Sequence, residues 1–179
     1  MLEVDIPNTE FFDEATSSFV VLKGSKLLLE HSLISVSKWE AKWHQPFLHG
    51  SEKTPEQMLD YVRCMSVGRP PEDDVLNRLP PDVVQRISDY IEDSMTATTF
   101  SDNNRGGSRE IITSELVYSW MVAMAVPFEC EKWHLNRLLT LIRIISIKNA
   151  PEKKMSRAEI AARNRELNAQ RLSQYNTAG

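Results

Sequence analysis

The sequence predicts an α+β protein that is mainly α, with a small N-terminal antiparallel β-hairpin or sheet, a helical bundle and a protruding C-terminal helix. Three observations carry this prediction: apolar runs with strand spacing before residue 32, helical spacing after it, and a change from acidic to basic composition near residue 150. We therefore divide the chain into an N-terminal β segment at 1–31, a helical body at 32–149, and a basic C-terminal helix and tail at 150–179.

The β segment begins with LEVDI, in which apolar and acidic residues alternate, and continues with the apolar runs SFVVL and KLLLE. Such runs, bounded by turn residues, are typical of strands. We expect strands near 2–6, 19–23 and 26–30. Gly24 and Ser25 lie between the last two runs and predict a hairpin turn that pairs them.

Five helices are expected in the body. The first places Trp39 and Trp43 on one face and ends before Pro46, and the second begins at a capping box formed by Thr54 and Gln57. The others are expected from the proline pair to about residue 92, at about 110–125, and at about 129–148. The last two are apolar nearly all round and should be central to the core. The composition of residues 96–108 predicts a loop.

The C-terminal helix begins after the breaker NAPEKK, at a capping box that Ser156 and Glu159 form. Ile160 and Leu167 share one side of this helix, and alanines occupy another. Its residues are strong helix formers, but its apolar area is too small to dock firmly. We expect it either to bind a partner or to remain a solvated helix.

Charge is unevenly spread along the chain. Residues 1–147 hold 14 Lys and Arg against 22 Asp and Glu, whereas residues 148–179 hold 7 against 3. An acidic body with a tail that carries a single Tyr does not favour nucleic-acid binding. The longest apolar run, at 116–128, is shorter than the ~20 residues of a membrane span. The acidic N-terminus is typical of neither a signal nor a transit peptide, so we expect a cytosolic protein.

Catalytic signatures are missing from the sequence. There is no phosphate-binding glycine loop, no GxSxG motif and no paired His or Cys spacing of the kind that zinc requires. His44 and His49 are separated by Pro46 and do not share a helical face. Cys64 and Cys130 lie in apolar surroundings and are interpreted as small buried hydrophobic residues in a reducing compartment. We expect no catalytic residue, no metal and no cofactor.

The tryptophans are the most distinctive feature of the composition. Trp39 and Trp43 could fill the core or form a binding hot spot, and the apolar face favours the core. His31 and His44 are expected at the polar rim of that helix. The candidate partner-binding residues are these two tryptophans together with residues of the C-terminal helix, namely Trp39, Trp43, Arg157, Ile160, Arg163, Leu167 and Arg171.

Five blocks stand in order along the chain: LEHSLISVSKWEAKWHQPFL, KTPEQMLDYVRCM, YIEDSMTATTF, REIITSELVYSWMVAMAVPFECEKWHLNRLLTLIRI and KKMSRAEIAARNRELNAQR. Together they resemble the tail assembly chaperones of long-tailed, siphovirus-type bacteriophages, over almost the whole chain. The resemblance implies a non-enzymatic protein that binds the tape measure protein, a long and mostly helical chain. It would keep that chain soluble until tail tube subunits polymerise around it during virion morphogenesis.

The resemblance also implies partners and a location. Coating a long chain requires many copies, so self-association is expected, with the tail tube protein as a further partner and neither nucleic acid nor membrane. The protein would act in the host cell cytoplasm and be absent from the mature virion. Two alternatives stay open: a structural virion protein of the tail or head–tail junction, and an enzyme that uses Cys64 or the histidines.

Overall fold

The computed structural model describes residues 1–13, 17–49, 52–100, 110–150 and 157–175. These residues form a mixed α+β structure that is mainly helical, with a small antiparallel β region at the N-terminus, as the sequence predicts. The chain divides into two compact units, Met1–Ser146 and Ile147–Gly179. The elements in chain order are β1 (Leu2–Ile6), β2 (Thr9–Asp13), β3 (Ser18–Leu22), β4 (Ser25–Leu29), α1 (Leu33–Trp43), α2 (Pro55–Met65), α3 (Asp73–Asn77), α4 (Pro81–Glu92), α5 (Ser114–Ala123), α6 (Leu135–Asn149) and α7 (Arg157–Tyr175).

The strands pair differently from the predicted hairpin. β1 pairs antiparallel with β4, from Leu2 opposite Leu29 to Ile6 opposite Ser25, and β2 pairs antiparallel with β3. The predicted turn at Gly24 and Ser25 is therefore wrong, because β3 and β4 are neighbours in sequence but pair with other strands.

Gly24 shows the physical reason for this arrangement. Its N–H donates to Asn8 Oδ1 at 2.6 Å, and a Cβ atom at this position would lie 2.3 Å from the carbonyl oxygen of Ile6. Only glycine allows the backbone at position 24 to approach the backbone at Ile6 this closely. This close approach occurs where the β1–β4 pair meets the β2–β3 pair. We refer to the β2–β3 pair as the ribbon.

The first two helices begin at capping boxes, the second of them as predicted, whereas Ser156 of the box predicted for α7 lies outside the described residues. Ser32 caps α1 in a box with Ser35, and Thr54 caps α2 in the predicted box with Gln57. The predicted helix at 129–148 starts later, with a 3-10 turn at Phe128–Lys132 and α6 from Leu135. An isolated β-bridge joins Ser32 and His134, and Leu135 N donates to the carbonyl of His31 at 2.7 Å. This pairing holds His134 outside the helix.

The core lies between the β1–β4 pair and the helices α1 to α6. α5 buries Val117 and Met121, but Val122 is 65% exposed, so only one face of this apolar helix is central. Residues 96–100 lie in neither helix nor strand, and 101–108 of the predicted loop lie outside the described residues. The fully buried large side chains are Trp39, Tyr61, Leu29, Leu33, Met65, Leu76, Met121, Leu135, Leu138, Val4, Val36 and Val117.

Candidate functional site

Trp39 is part of the core. Its side chain is 1% exposed, its Nε1 donates to the carbonyl of Gln57 at 2.9 Å, and the Phe47 ring meets it edge-on at 5.2 Å between centroids. An indole with no accessible surface cannot contact a partner. As a partner-binding candidate Trp39 is therefore corrected to a core residue, because α1 and α2 enclose its ring.

Trp43 is half-buried beside the carboxylate of Asp60. Its Nε1 donates to Asp60 Oδ2 at 2.9 Å, and the Lys42 ammonium lies 2.5 Å from Oδ1. Burial acts to raise the pKa of Asp60, but hydrogen bonds from Lys42 and Trp43 and the charges of Lys42 and Arg63 lower it overall. These residues line a pocket of about 380 Å³. Because its pKa is lowered, the Asp60 carboxylate stays charged and is unsuited to act as a general acid. Its role is to accept the hydrogen bond that positions the Trp43 indole.

The two cysteines are free thiols, with Cys130 buried and Cys64 half-buried. Burial raises the pKa of the Cys64 thiol above its usual value, and the nearby Asp60 carboxylate raises it further. The positive charges of Lys38, Lys42 and Arg63 lower this pKa, but by less. The thiolate is the nucleophilic form of cysteine. A raised pKa therefore argues against a reactive role for Cys64.

His31 and His134 form a buried pair in the middle of the fold. The His31 Nδ1 and the Tyr61 hydroxyl share a hydrogen bond, and the two imidazole rings lie 5.1 Å apart. Burial and then the proximity of His134 lower the pKa of His31 to about 3. The expected rim position of His31 is wrong, since the residue is only 2% exposed, whereas His44 is exposed at the end of α1.

His134 completes this pair. Its Nε2 donates to the carbonyl of Tyr90 at 2.9 Å, and its Nδ1 is buried without a hydrogen-bond partner. The carbonyl can only accept, so Nε2 carries a proton. The histidine pair thus joins α4, the start of α6 and the segment before α1, and burial favours the neutral form of the His31 ring.

Glu40 is a buried carboxylate that no sequence motif marks. It is 7% exposed, and its two oxygens accept from Phe47 N and Ser114 N, each at 2.7 Å. Ser114 is the first residue of α5, where the partial positive charge of the helix terminus favours an anion. Glu40 therefore ties the segment after α1 to the start of α5, which is a structural role.

The candidate residues of α7 lie on one face. Successive helical residues advance by about 100°, which places Arg157, Arg163, Leu167 and Arg171 within about 60° of Ile160. Ile160 is 45% and Leu167 is 40% exposed, and the described arginine side chains are also exposed. We call these five residues the α7 face. It combines three positive charges with two large apolar side chains.

The ribbon carries a second exposed apolar surface. Phe12 lies opposite Phe19 and Glu10 opposite Val21, so these four side chains point to the same side. Phe12 is 51%, Phe19 69% and Val21 56% exposed, and the two phenyl rings meet edge-on at 5.2 Å. We call these four residues the ribbon face. The sequence does not indicate this surface, because the FF doublet interrupts strand alternation in Thr9–Asp13.

In the described ranges, no three His, Cys, Asp or Glu side chains gather where they could hold a metal ion. No helix within those ranges is both long and apolar enough to cross a membrane. Comparisons with protein-family models, curated proteins and solved structures found no match to the chain. The α7 face and the ribbon face are therefore the features of the chain that bear on its function.

Proposed function

We propose that this protein is a non-enzymatic phage tail assembly chaperone that binds the tape measure protein and keeps it soluble during tail morphogenesis. The observation that carries the proposal is α7, a 19-residue helix whose described side chains are all exposed. Two of its large apolar residues, Ile160 and Leu167, share a face with three arginines. The sequence resemblance to tail assembly chaperones points to the same role.

The physical properties of the α7 face suit a helical client. An isolated helix of this length is marginal in water, and α7 has too few large apolar residues to bury a core of its own. Contact along an amphipathic client helix would cover Ile160 and Leu167 and set the arginines beside acidic side chains. Such an interface is small, which suits a protein that tail tube subunits must later displace.

The buried polar groups support a non-enzymatic role. Asp60, Glu40 and the histidine pair are each engaged in contacts that join elements of the fold. The protein would act in the host cell cytoplasm, associate with further copies of itself and meet the tail tube protein when the client is handed over. We expect no cofactor, nucleic acid or membrane partner.

Client solubility provides the test. The tape measure protein is expressed alone, with the full chain, with a chain ending at Ala150, and with the variant Ile160→Asp/Leu167→Asp. We expect the full chain to keep the client in the soluble fraction and both altered chains to fail. Charged groups on the α7 face would prevent the apolar contact, and truncation removes the face entirely.

A matched control separates loss of the face from loss of the helix. Ala162→Asp/Ala169→Asp introduces the same two charges on the opposite side of α7, since both alanines lie about 160–180° from Ile160. This variant should rescue the client as the parent chain does. Rescue by the chain ending at Ala150 would move the client contact to the body. Failure of the full chain, with the protein found in purified virions, would favour a structural virion protein instead.

A further inference from the structure

The ribbon face is an exposed apolar cluster on two strands, since more than half of the surface of Phe12, Phe19 and Val21 is accessible. An isolated two-stranded ribbon is marginally stable in water, and three large apolar side chains on its outer side add no burial of their own. At its base, Arg78 donates to Thr9 Oγ1 at 3.4 Å and to the carbonyl of Lys23 at 3.3 Å. The ribbon is thus held at one end, while the apolar side chains of its outer face are exposed. An exposed aromatic patch of this kind is typical of an interaction surface.

Charge indicates what covers this face. The first 22 residues contain Glu3, Asp5, Glu10, Asp13 and Glu14 but no Lys or Arg, and Glu10 belongs to the ribbon face itself. A fitting partner would therefore combine positive charge with apolar side chains on one surface. Arginine is especially suitable, because its guanidinium can both pair with a carboxylate and stack on a phenyl ring.

The α7 face has this combination. It presents Arg157, Arg163 and Arg171 around Ile160 and Leu167, while Glu166 lies about 120° away from Ile160. The dimensions also agree. Five strand residues extend about 17 Å, and the helix rises about 21 Å from Arg157 to Arg171. One α7 helix could therefore lie along the whole ribbon face.

We propose that α7 of one copy binds the ribbon face of a second copy, so that copies associate head to tail. Ile160 and Leu167 pack against Phe12 and Phe19, and the arginines lie beside Glu10. Donor and acceptor are different surfaces of the chain. The contact is therefore heterologous, and each added copy presents a new ribbon face or a new α7.

This proposal goes beyond client binding and uses the same α7 face. A tape measure helix and a neighbouring copy would compete for that face, so client binding would shorten the chains of copies. The association can be measured on purified protein without any client. Its outcome is therefore distinguishable from the outcome of the client solubility experiment.

Sedimentation equilibrium of the full-length protein over a range of concentrations tests the contact. The parent chain should show an average mass that rises continuously with concentration. Phe12→Ser/Phe19→Ser should remove the acceptor, and Ile160→Asp/Leu167→Asp should remove the donor, each raising the dissociation constant by about tenfold or more. Val84→Ser removes a side chain of similar exposure from α4 and should leave the association unchanged.

Mixing the two defective variants gives the decisive result. One retains a working α7 and the other a working ribbon face, so the mixture should form a one-to-one dimer and nothing larger. Glu10→Arg keeps the aromatic pair intact and should also weaken association. This variant tests the ribbon face even if the double Phe substitution unfolds the ribbon. A parent chain that stays monomeric would overturn the proposal, even if its own α7 folded onto its own ribbon. A mixture of the two variants that stays monomeric would overturn it as well.

Discussion

Replacing Glu40 by alanine is expected to lower the free energy of unfolding by about 3–6 kcal/mol. The backbone N–H groups of Phe47 and Ser114 each donate to this carboxylate at 2.7 Å, and the side chain is buried. Hydrogen bonds to charged groups contribute about 1.5–3 kcal/mol each, and alanine leaves both donors without an acceptor. Chemical denaturation monitored by tryptophan fluorescence measures the change.

Two further variants define the cause of this loss. Glu40→Gln keeps the shape and one oxygen, but its amide group faces an N–H donor, so we expect roughly half of the alanine effect. Glu92→Ala removes an exposed carboxylate at the end of α4 and should change stability by less than about 0.5 kcal/mol. If Glu40→Ala behaved like Glu92→Ala, the carboxylate would not connect α1 and α5 as described.

Acidification from pH 7 to pH 5 is expected to cost about 2 kcal/mol of unfolding free energy through His31 alone. The pKa of this residue is about 3 in the folded chain against an ordinary value of 6.5. Between these values the unfolded chain binds a proton that the folded chain excludes, so stability is complete above pH 6.5 and falls as the pH decreases. Urea denaturation at pH 7 and pH 5 measures the difference.

The contribution of His31 is isolated by substitution. His31→Gln cannot take up the proton but can still accept from the Tyr61 hydroxyl, so its loss of stability between pH 7 and pH 5 should be smaller by about 2 kcal/mol. His44→Asn changes an exposed histidine at the left-handed position that ends α1, where asparagine is tolerated. This control should retain the full pH dependence. An equal pH dependence in His31→Gln and the parent chain would contradict the buried neutral imidazole.

Local signals in the sequence were sufficient for most helices. Thr54 and Gln57 identify the start of α2 because both halves of a capping box lie within four residues. Strand pairing could not be predicted from local signals. The correct partner of Ser25–Leu29 is Leu2–Ile6, which is distant in sequence, and Gly24 serves a backbone crossing rather than a hairpin turn. Nothing local to Gly24 distinguishes these two uses of glycine.

The polar interior was also beyond sequence reasoning. His31 and His134 are separated by about a hundred positions, and only the fold brings their rings together. Glu40 lies between two tryptophans on an amphipathic helix and resembles any solvated glutamate until the start of α5 meets it. Burial of a polar group depends on tertiary partners, and one sequence does not reveal these. By contrast, the α7 face could be identified in advance because helical geometry alone sets its members.

The two surfaces offer one physical interpretation of the chain. Its interior polar groups hold the body together, while the proposed contacts would cover the exposed apolar residues of α7 and the ribbon. Competition between a client helix and a neighbouring copy for the α7 face would make binding of the client and growth of the protein assembly opposing events. The client contact is the step on which this interpretation depends.

Amide hydrogen exchange, measured on the free protein and on its complex with the tape measure protein, examines that contact residue by residue. An unsupported helix opens readily, so amides in Arg157–Tyr175 should exchange rapidly in a dilute sample of the free protein. In the complex we predict marked slowing of exchange in this helix, centred on Ile160 to Leu167. Unchanged exchange in α7, with new protection confined to the body, would contradict client binding through the α7 face.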